Sequence, residues 1–250
     1  MNIIAYLSRI SHHDTPRPDF FGLKKLQQLH LSHIPFENLD IHYENKIELD
    51  LEKIFEKLIR NRRGGFCYEL NALFHWLLTN CGFEVDMISA RVHIEGDKFG
   101  PEFDHMALIV HLEGKQFLVD VGFGAFAMGP LLIEENTLIS DQSGQFQFHL
   151  RDDGYWQVGQ VIGEKLVPEY IFSLNKRELA DFSEMCHYHQ TDSRSHFTQK
   201  RVISIPTEEG RITLNDRQLK ITREGTSEKI KFETEAEFRT YLSQYFQISL

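Results

Sequence analysis

Cys67 is the residue of this chain whose surroundings most suggest nucleophilic chemistry. It follows Arg62-Arg63-Gly64-Gly65-Phe66 and opens a run in which Leu70, Leu73, Phe74, Leu77 and Leu78 recur at helical period, until Asn80-Cys81-Gly82 supplies a stop. A thiol in the first turn of a helix sits at the positive end of the macrodipole, which lowers its pKa and favours the thiolate. The paired glycines let backbone and substrate come close to the sulfur. The same pattern also fits a small buried residue starting a core helix, a common fate of free cysteines.

A cysteine nucleophile is usually activated by a histidine, which a carboxylate or amide orients. Thirteen histidines make the presence of one uninformative, so spacing has to select it. His105 to Leu112, Glu113-Gly114 and Lys115 to Val121 read as two strands joined by a two-residue turn. That turn sets Leu112 opposite Lys115, Ala107 opposite Asp120 and His105 opposite Gly122. His105 and Asp120 then share a face as diagonal neighbours, roughly 7–8 Å apart at the backbone, a gap two side chains close with a hydrogen bond. Met106, Leu108, Val110, Phe117, Val119 and Val121 fall on the other face, expected to be a core face. An aspartate between Val119 and Val121 is costly unless paired. A structural His–Asp pair at the end of a sheet satisfies that requirement as well as a catalytic one does.

Three groups of elements are expected to position these residues. The first third reads as helical, with Phe20 to Leu31 following Pro16 and Pro18, and Asp50 capping Leu51, Ile54, Phe55, Leu58 and Ile59. Ser32 to Leu39 reads as a turn-like link. From Phe83 the period becomes that of strands: Val85 to Ile94, the hairpin, Gln145 to Leu150, and Tyr155 to Val161 predict an antiparallel barrel or curled sheet. Asn175 to Gln190 is mixed, with helical character. Short strands follow at Arg201 to Ile205, Arg211 to Leu214, Gln218 to Thr222 and Glu228 to Phe232. Thr234 and Glu237 then form a capping box before the amphipathic run Phe238, Tyr241, Leu242, Tyr245, Phe246.

The 250 residues suffice for a large core without disulfide help. Three scattered cysteines, Cys67, Cys81 and Cys186, fit reduced thiols in a cytoplasmic protein. The start carries no secretory pattern, and no apolar run approaches a membrane span. A net charge of −10 argues against general nucleic-acid binding. It leaves room for a phosphate-bearing small molecule on a local basic patch. Arg62-Arg63, Lys200-Arg201 and the Arg217 to Arg223 stretch are the candidates, each of which also reads as ordinary solvated surface. Cys186-His187-Tyr188-His189 and His12-His13 gather metal-binding residue types without a metal-site spacing, so no metal is expected.

Taken together, Arg62-Gly64-Gly65-x-Cys67-x-Glu69-x-Asn71, Asp104-His105-Met106-Ala107-Leu108 and Val119-Asp120-Val121-Gly122-Phe123-Gly124 resemble the motifs of the arylamine N-acetyltransferases. Tyr6-Leu7-Ser8-Arg9-Ile10 and Ile34-Pro35-Phe36-Glu37-Asn38-Leu39 extend the likeness over essentially the whole chain. The resemblance implies an α+β fold with a cysteine-protease-like catalytic core. Its parts would be a helical bundle with the nucleophile (1–82), an antiparallel β-barrel with the histidine and aspartate (83–190), and an α/β lid (191–250). It implies Cys67 as the acetylated nucleophile, His105 as base and acid, Asp120 as orienter, and Phe36 and Phe123 lining the acceptor pocket. Acetyl-CoA would be the cosubstrate of a ping-pong reaction, with no permanently bound cofactor. An arylamine, arylhydrazine or N-hydroxyarylamine would be the acceptor. Ala125 and Ala127 are small enough to widen that pocket. The chain ends at Gln247-Ile248-Ser249-Leu250, without the tail of longer members, so coenzyme contacts from such a tail do not carry over. Cys-His-Asp also serves a cysteine hydrolase or transglutaminase-like enzyme, and an amide synthase would use a larger acyl thioester.

Overall fold

The computed structural model describes residues 1–249; Leu250, the last residue of the terminus quoted above, lies outside the described residues. The first part is helical: α1 (Ile3–Arg9), α2 (Phe20–His33), α3 (Leu39–His42), α4 (Leu51–Phe55) and α5 (Cys67–Asn80). The cap expected at Asp50 is present, and Asp19 supplies one for α2 that the sequence reading does not name. Asp19 accepts the Gly22 N–H at 2.8 Å and Asp50 the Lys53 N–H at 2.9 Å, satisfying N–H groups that have no partner within the helix. A wider turn (Glu56–Arg60) prolongs α4. Within Ser32 to Leu39, β1 (Phe36–Glu37) is a short strand rather than a bare turn.

The central sheet is antiparallel. It comprises β2 (Glu84–Glu95), β3 (Lys98–Phe99), β4 (His105–Leu112), β5 (Lys115–Val119), β6 (Leu131–Leu132), β7 (Ile139–Asp141), β8 (Gly144–Leu150), β9 (Trp156–Ile162) and β10 (Lys165–Arg177). Its order is β6-β5-β4-β2-β10-β9-β8-β7, with β3 paired to β2. Glu135, just past β6, bridges to Phe148 on β8 and draws the two ends of the sheet toward a barrel.

The β4–β5 hairpin turns at Glu113-Gly114, both left-handed (φ 53° and 72°), as the twist of the flanking strands requires. Its register runs from Leu112 opposite Lys115 to Leu108 opposite Val119. There β5 ends, so Asp120 and Gly122 leave the ladder instead of pairing within it. The expected core face is present, and the other face of the hairpin is covered as well. Met106, Leu108, Val110, Phe117, Val119 and Val121 pack with the helices, while Ala107, Ile109 and Leu118 fill the barrel with Phe146, Tyr170 and Phe172.

Asn175 to Gln190 divides. β10 runs to Arg177, a tight turn covers Leu179–Phe182, and α6 (Ser183–Thr191) follows, with α7 at His196–Gln199. Phe182 and Cys186 join the helical core. The last part is a second antiparallel sheet, β1-β11-β12-β13-β14, with β11 (Val202–Thr207), β12 (Gly210–Asn215), β13 (Gln218–Arg223) and β14 (Thr226–Lys231). It packs on α8 (Glu235–Phe246) through Ile203, Leu214, Leu219, Phe238 and Leu242. Thr234 caps α8 as the box predicts, accepting the Glu237 N–H at 3.3 Å. Because β1 comes from the helical part, the second sheet is tied to the chain entering Cys67: Phe36 bridges Gly65 and pairs with Ser204.

Candidate active site

Cys67 begins α5 and is only 3 % exposed. Glu69 accepts the Phe66 N–H at 3.2 Å, closing the first turn, and is held by Lys57 at 2.8 Å. Lys57 also pairs with Asp40 at 2.7 Å, and Arg63 bridges Asp40 and Glu37. This chain of buried charges fixes the segment before the nucleophile. It also alters the expected role of the glycines. A Cβ on Gly64 would stand 2.1 Å from the Pro35 carbonyl oxygen, and one on Gly65 would stand 2.9 Å from Glu69 Cβ. The glycines are there for backbone packing against β1 and α5.

His105 and Asp120 meet as the hairpin predicts. Nε2 of His105 lies 2.7 Å from Asp120 Oδ2, both groups buried. The carboxylate is satisfied on every side: Tyr170 donates its hydroxyl to Oδ2 at 3.1 Å, while Asn71 Nδ2 (3.0 Å) and the Gly122 N–H (2.8 Å) reach Oδ1. Gln27 Nε2 donates to the Asp120 carbonyl at 3.3 Å. Such saturation is what a buried carboxylate requires.

Three contacts bring Cys67 to this pair. Asn71, on the same helix, holds Asp120. A Cβ on Gly122 would stand 2.7 Å from Cys67 Cα, so only glycine admits the helix this close. The Met106 N–H is directed at the sulfur. Among the described residues no hydrogen bond joins the sulfur to the His105 ring. The expected lowering of the thiol pKa is corrected: burial pushes it well above its ordinary value, and the charges of Asp120 and Asp104 add to that, against the Met106 N–H. Desolvation outweighs the helix terminus here.

Phe123 packs on His105 with ring centroids 5.1 Å apart, and on Tyr170 at 5.0 Å and Phe126 at 5.6 Å. Phe36 lies near Phe197, with ring centroids 6.2 Å apart and the rings tilted by 41°; among the described residues it makes no ring contact with His105 or Phe123. Sequence reasoning does not single out Tyr170, and of β10 it covers only the Asn175–Arg177 end, as part of a mixed stretch. Asn71 stood within the quoted motif without a role. Cys186 and His189 turn to separate partners on and beyond α6: Gln190 Nε2 contacts the sulfur at 3.3 Å, and His189 Nδ1 lies 3.0 Å from Ser195 Oγ.

The family model described as N-acetyltransferase matches residues 19–250. Arylamine N-acetyltransferase 2 of Mus musculus is 33% identical, with 100% of this chain and 95% of that protein covered. The chain belongs to the arylamine N-acetyltransferase family. Its α+β fold matches the structure of the M. smegmatis arylamine N-acetyltransferase with a TM-score of 0.92 at 31% identity, covering 100% of this chain and 93% of that one. The Mycobacterium marinum arylamine N-acetyltransferase, solved in complex with CoA, matches at 0.89 and 29% identity, covering 99% and 93%. As a member of this family, the protein is an acyltransferase. No helix among the described residues is long and apolar enough to cross a membrane.

Proposed function

We propose that this arylamine N-acetyltransferase moves the acetyl group of acetyl-CoA onto arylamines and arylhydrazines, and onto the oxygen of N-hydroxyarylamines, through an acetyl-Cys67 intermediate. The observation that carries the reading is the saturated Asp120 carboxylate. It is bonded at once to His105 and, through Asn71, to the helix that Cys67 begins.

His105 spends Nε2 on Asp120, which leaves Nδ1 as the nitrogen for the thiol. Since burial disfavours a free thiolate, His105 accepts the thiol proton as the thioester arrives. The sulfur bonds to the acetyl carbon, the bond from that carbon to the coenzyme sulfur breaks, and the proton passes to the departing coenzyme thiolate. The Phe66 N–H is engaged by Glu69, so the other first-turn N–H groups of α5 are those free to hold the oxyanion. In the second half, the amine nitrogen attacks acetyl-Cys67, its proton goes to His105, and Cys67 leaves and is reprotonated. Arylamines and hydrazines suit this step because they are unprotonated at neutral pH. Phe36 and Phe123 supply apolar surface for an aromatic acceptor, and exclusion of water protects the acetyl-enzyme. The free thiols suit a reducing compartment such as the cytoplasm.

Incubation with acetyl-CoA followed by intact mass tests the intermediate. One added acetyl group, lost in Cys67→Ala and discharged by an arylhydrazine, is expected. Prompt discharge by water alone, with no amide product, would instead mark a hydrolase.

A further inference from the structure

Of the seven basic residues in the candidate patches, Arg63, Arg201 and Arg223 have a carboxylate within ion-pair distance, and Arg62, Lys200, Arg217 and Lys220 have none among the described residues. Arg62 alone of those four shares a cavity with a second, buried arginine, Arg9. Among the described residues neither has a carboxylate at ion-pair distance, and both line a cavity of about 530 Å³ between α2, the Arg62 turn, the β11–β12 hairpin and α8.

Arg9 is 7 % exposed. Its Nε donates to the Leu58 carbonyl at 3.2 Å and its Nη2 to the Arg62 carbonyl at 3.4 Å, while Nη1 has no protein partner among the described residues. Burial and the Arg62 charge bring its pKa down to about 10, as when two like charges are held together without an anion. The Arg62 backbone is left-handed, φ 53°, a conformation that residues with a Cβ rarely adopt. Tyr245 and Thr207 add hydroxyls to the walls, Phe246 and Ile205 add apolar surface, and Glu208 is the one carboxylate there among the described residues. In a chain of net charge −10, a concavity with this local excess of positive charge focuses attraction on anions.

We propose that this cavity binds a phosphate-bearing small molecule, with the phosphate between Arg9 and Arg62 and an apolar portion against Phe246 and Ile205. Guanidinium forks match phosphate oxygens in geometry as well as charge. The site is separate from the Cys67 centre and does not depend on the acetyl-transfer reading. A free nucleotide and the phosphates of coenzyme A are the two sources of such a group.

Calorimetric titration at low salt with inorganic pyrophosphate, ADP and coenzyme A tests it on the full chain, on Arg62→Gly and on Lys229→Gln. Arg62→Gly removes the charge while suiting the left-handed backbone; Lys229→Gln removes an exposed charge elsewhere. Pyrophosphate is expected to bind one site, weakened about tenfold or more by Arg62→Gly and unchanged by Lys229→Gln. The same loss for coenzyme A would make the coenzyme the ligand, and loss for pyrophosphate and ADP alone would make it a separate nucleotide; both sustain the site. No pyrophosphate binding, or equal binding by the full chain and Arg62→Gly, overturns it. Acetylation of Cys67 is not the readout, so failure here leaves the proposed reaction standing.

Discussion

Asn71 fastens the helix of the nucleophile to Asp120. Its amide nitrogen donates to Asp120 Oδ1 at 3.0 Å and to the Met106 carbonyl at 2.7 Å, and its oxygen takes the Val121 N–H at 3.0 Å. One side chain therefore sets where the carboxylate, the strand end and the start of α5 stand relative to one another. Asn71→Ala leaves the Met106 carbonyl and the Val121 N–H buried without partners, at about 1–3 kcal/mol each. A fall in Tm together with a loss of about 100-fold in kcat/KM for an arylhydrazine is expected. Unchanged kcat/KM would show that Asn71 does not position Asp120.

Tyr170→Phe is the milder change. The ring still fills the barrel against Phe123 and Phe172, and only the hydroxyl bond to Asp120 is lost. Since His105, Asn71 and Gly122 remain on the carboxylate, kcat/KM should drop about tenfold, the worth of one hydrogen bond to a charged group, with Tm nearly unchanged. Steady-state kinetics beside a thermal melt separates this from a general loss of fold.

Gly122→Ala acts by contact. The added methyl would stand 2.7 Å from Cys67 Cα and 2.8 Å from Asn71 Nδ2. The first is backbone and cannot swing away, so α5 must retreat from the Asp120 loop. A stability cost of about 1–3 kcal/mol is expected, with acetylation of Cys67 slowed far more than Tm alone would explain. Pre-steady-state release of free coenzyme thiol reads that step.

These contrasts show which parts of the site a reader of the sequence can reach. The hairpin was legible because Glu113-Gly114 interrupts two alternating runs, and its register alone set His105 and Asp120 on one face. The helix of Cys67 was legible from its apolar period. Tyr170 was not, because Pro168 and the charges Lys165, Glu169, Lys176 and Arg177 mask β10, whose register shifts between Pro168 and Tyr170. Strand β1 is too short to carry a pattern. Asn71 was visible, but its partners lie on β4 and the Asp120 loop, where only the folded chain brings them. The thiol pKa was misjudged because a helix start is visible in sequence and the depth of its burial is not.

Lys57 holds two buried carboxylates, so its removal should show in the pH dependence of stability. For Asp40, burial raises the carboxyl pKa, but Lys57 and Arg63 outweigh it and the net shift is downward. A depressed folded pKa adds stability above the unfolded value, about 3.9, and that stability is lost as pH falls through the folded value. Glu69 is shifted upward by burial despite Lys57, so the folded state binds its proton more tightly than the unfolded chain does. Lys57→Met leaves Glu69 without a cation and Asp40 with Arg63 alone, and should cost about 3–5 kcal/mol near pH 7. Part of that cost should be recovered between pH 7 and 5, as the uncompensated Glu69 carboxyl takes up a proton in the folded state. Urea denaturation across that range checks the sign, and a pH-independent deficit would mean that the charges are not what the substitution exposes.

Alkylation separates the three thiols by their access to a base. Burial pushes Cys81 up to about 11 and Cys186 up to about 12, and it raises Cys67 as well. A thiol with a raised pKa is protonated at neutral pH, and its reactivity climbs only as pH approaches that value. Cys67 alone has His105 and the Asp120 cluster beside it. At pH 7.5 iodoacetamide should therefore label Cys67 first, as peptide mapping would show. In His105→Gln that labelling should slow by more than about tenfold, with the rate rising steadily above pH 9 because burial is no longer opposed. Equal labelling rates at pH 7.5 in the two proteins would remove His105 as the base that serves the sulfur.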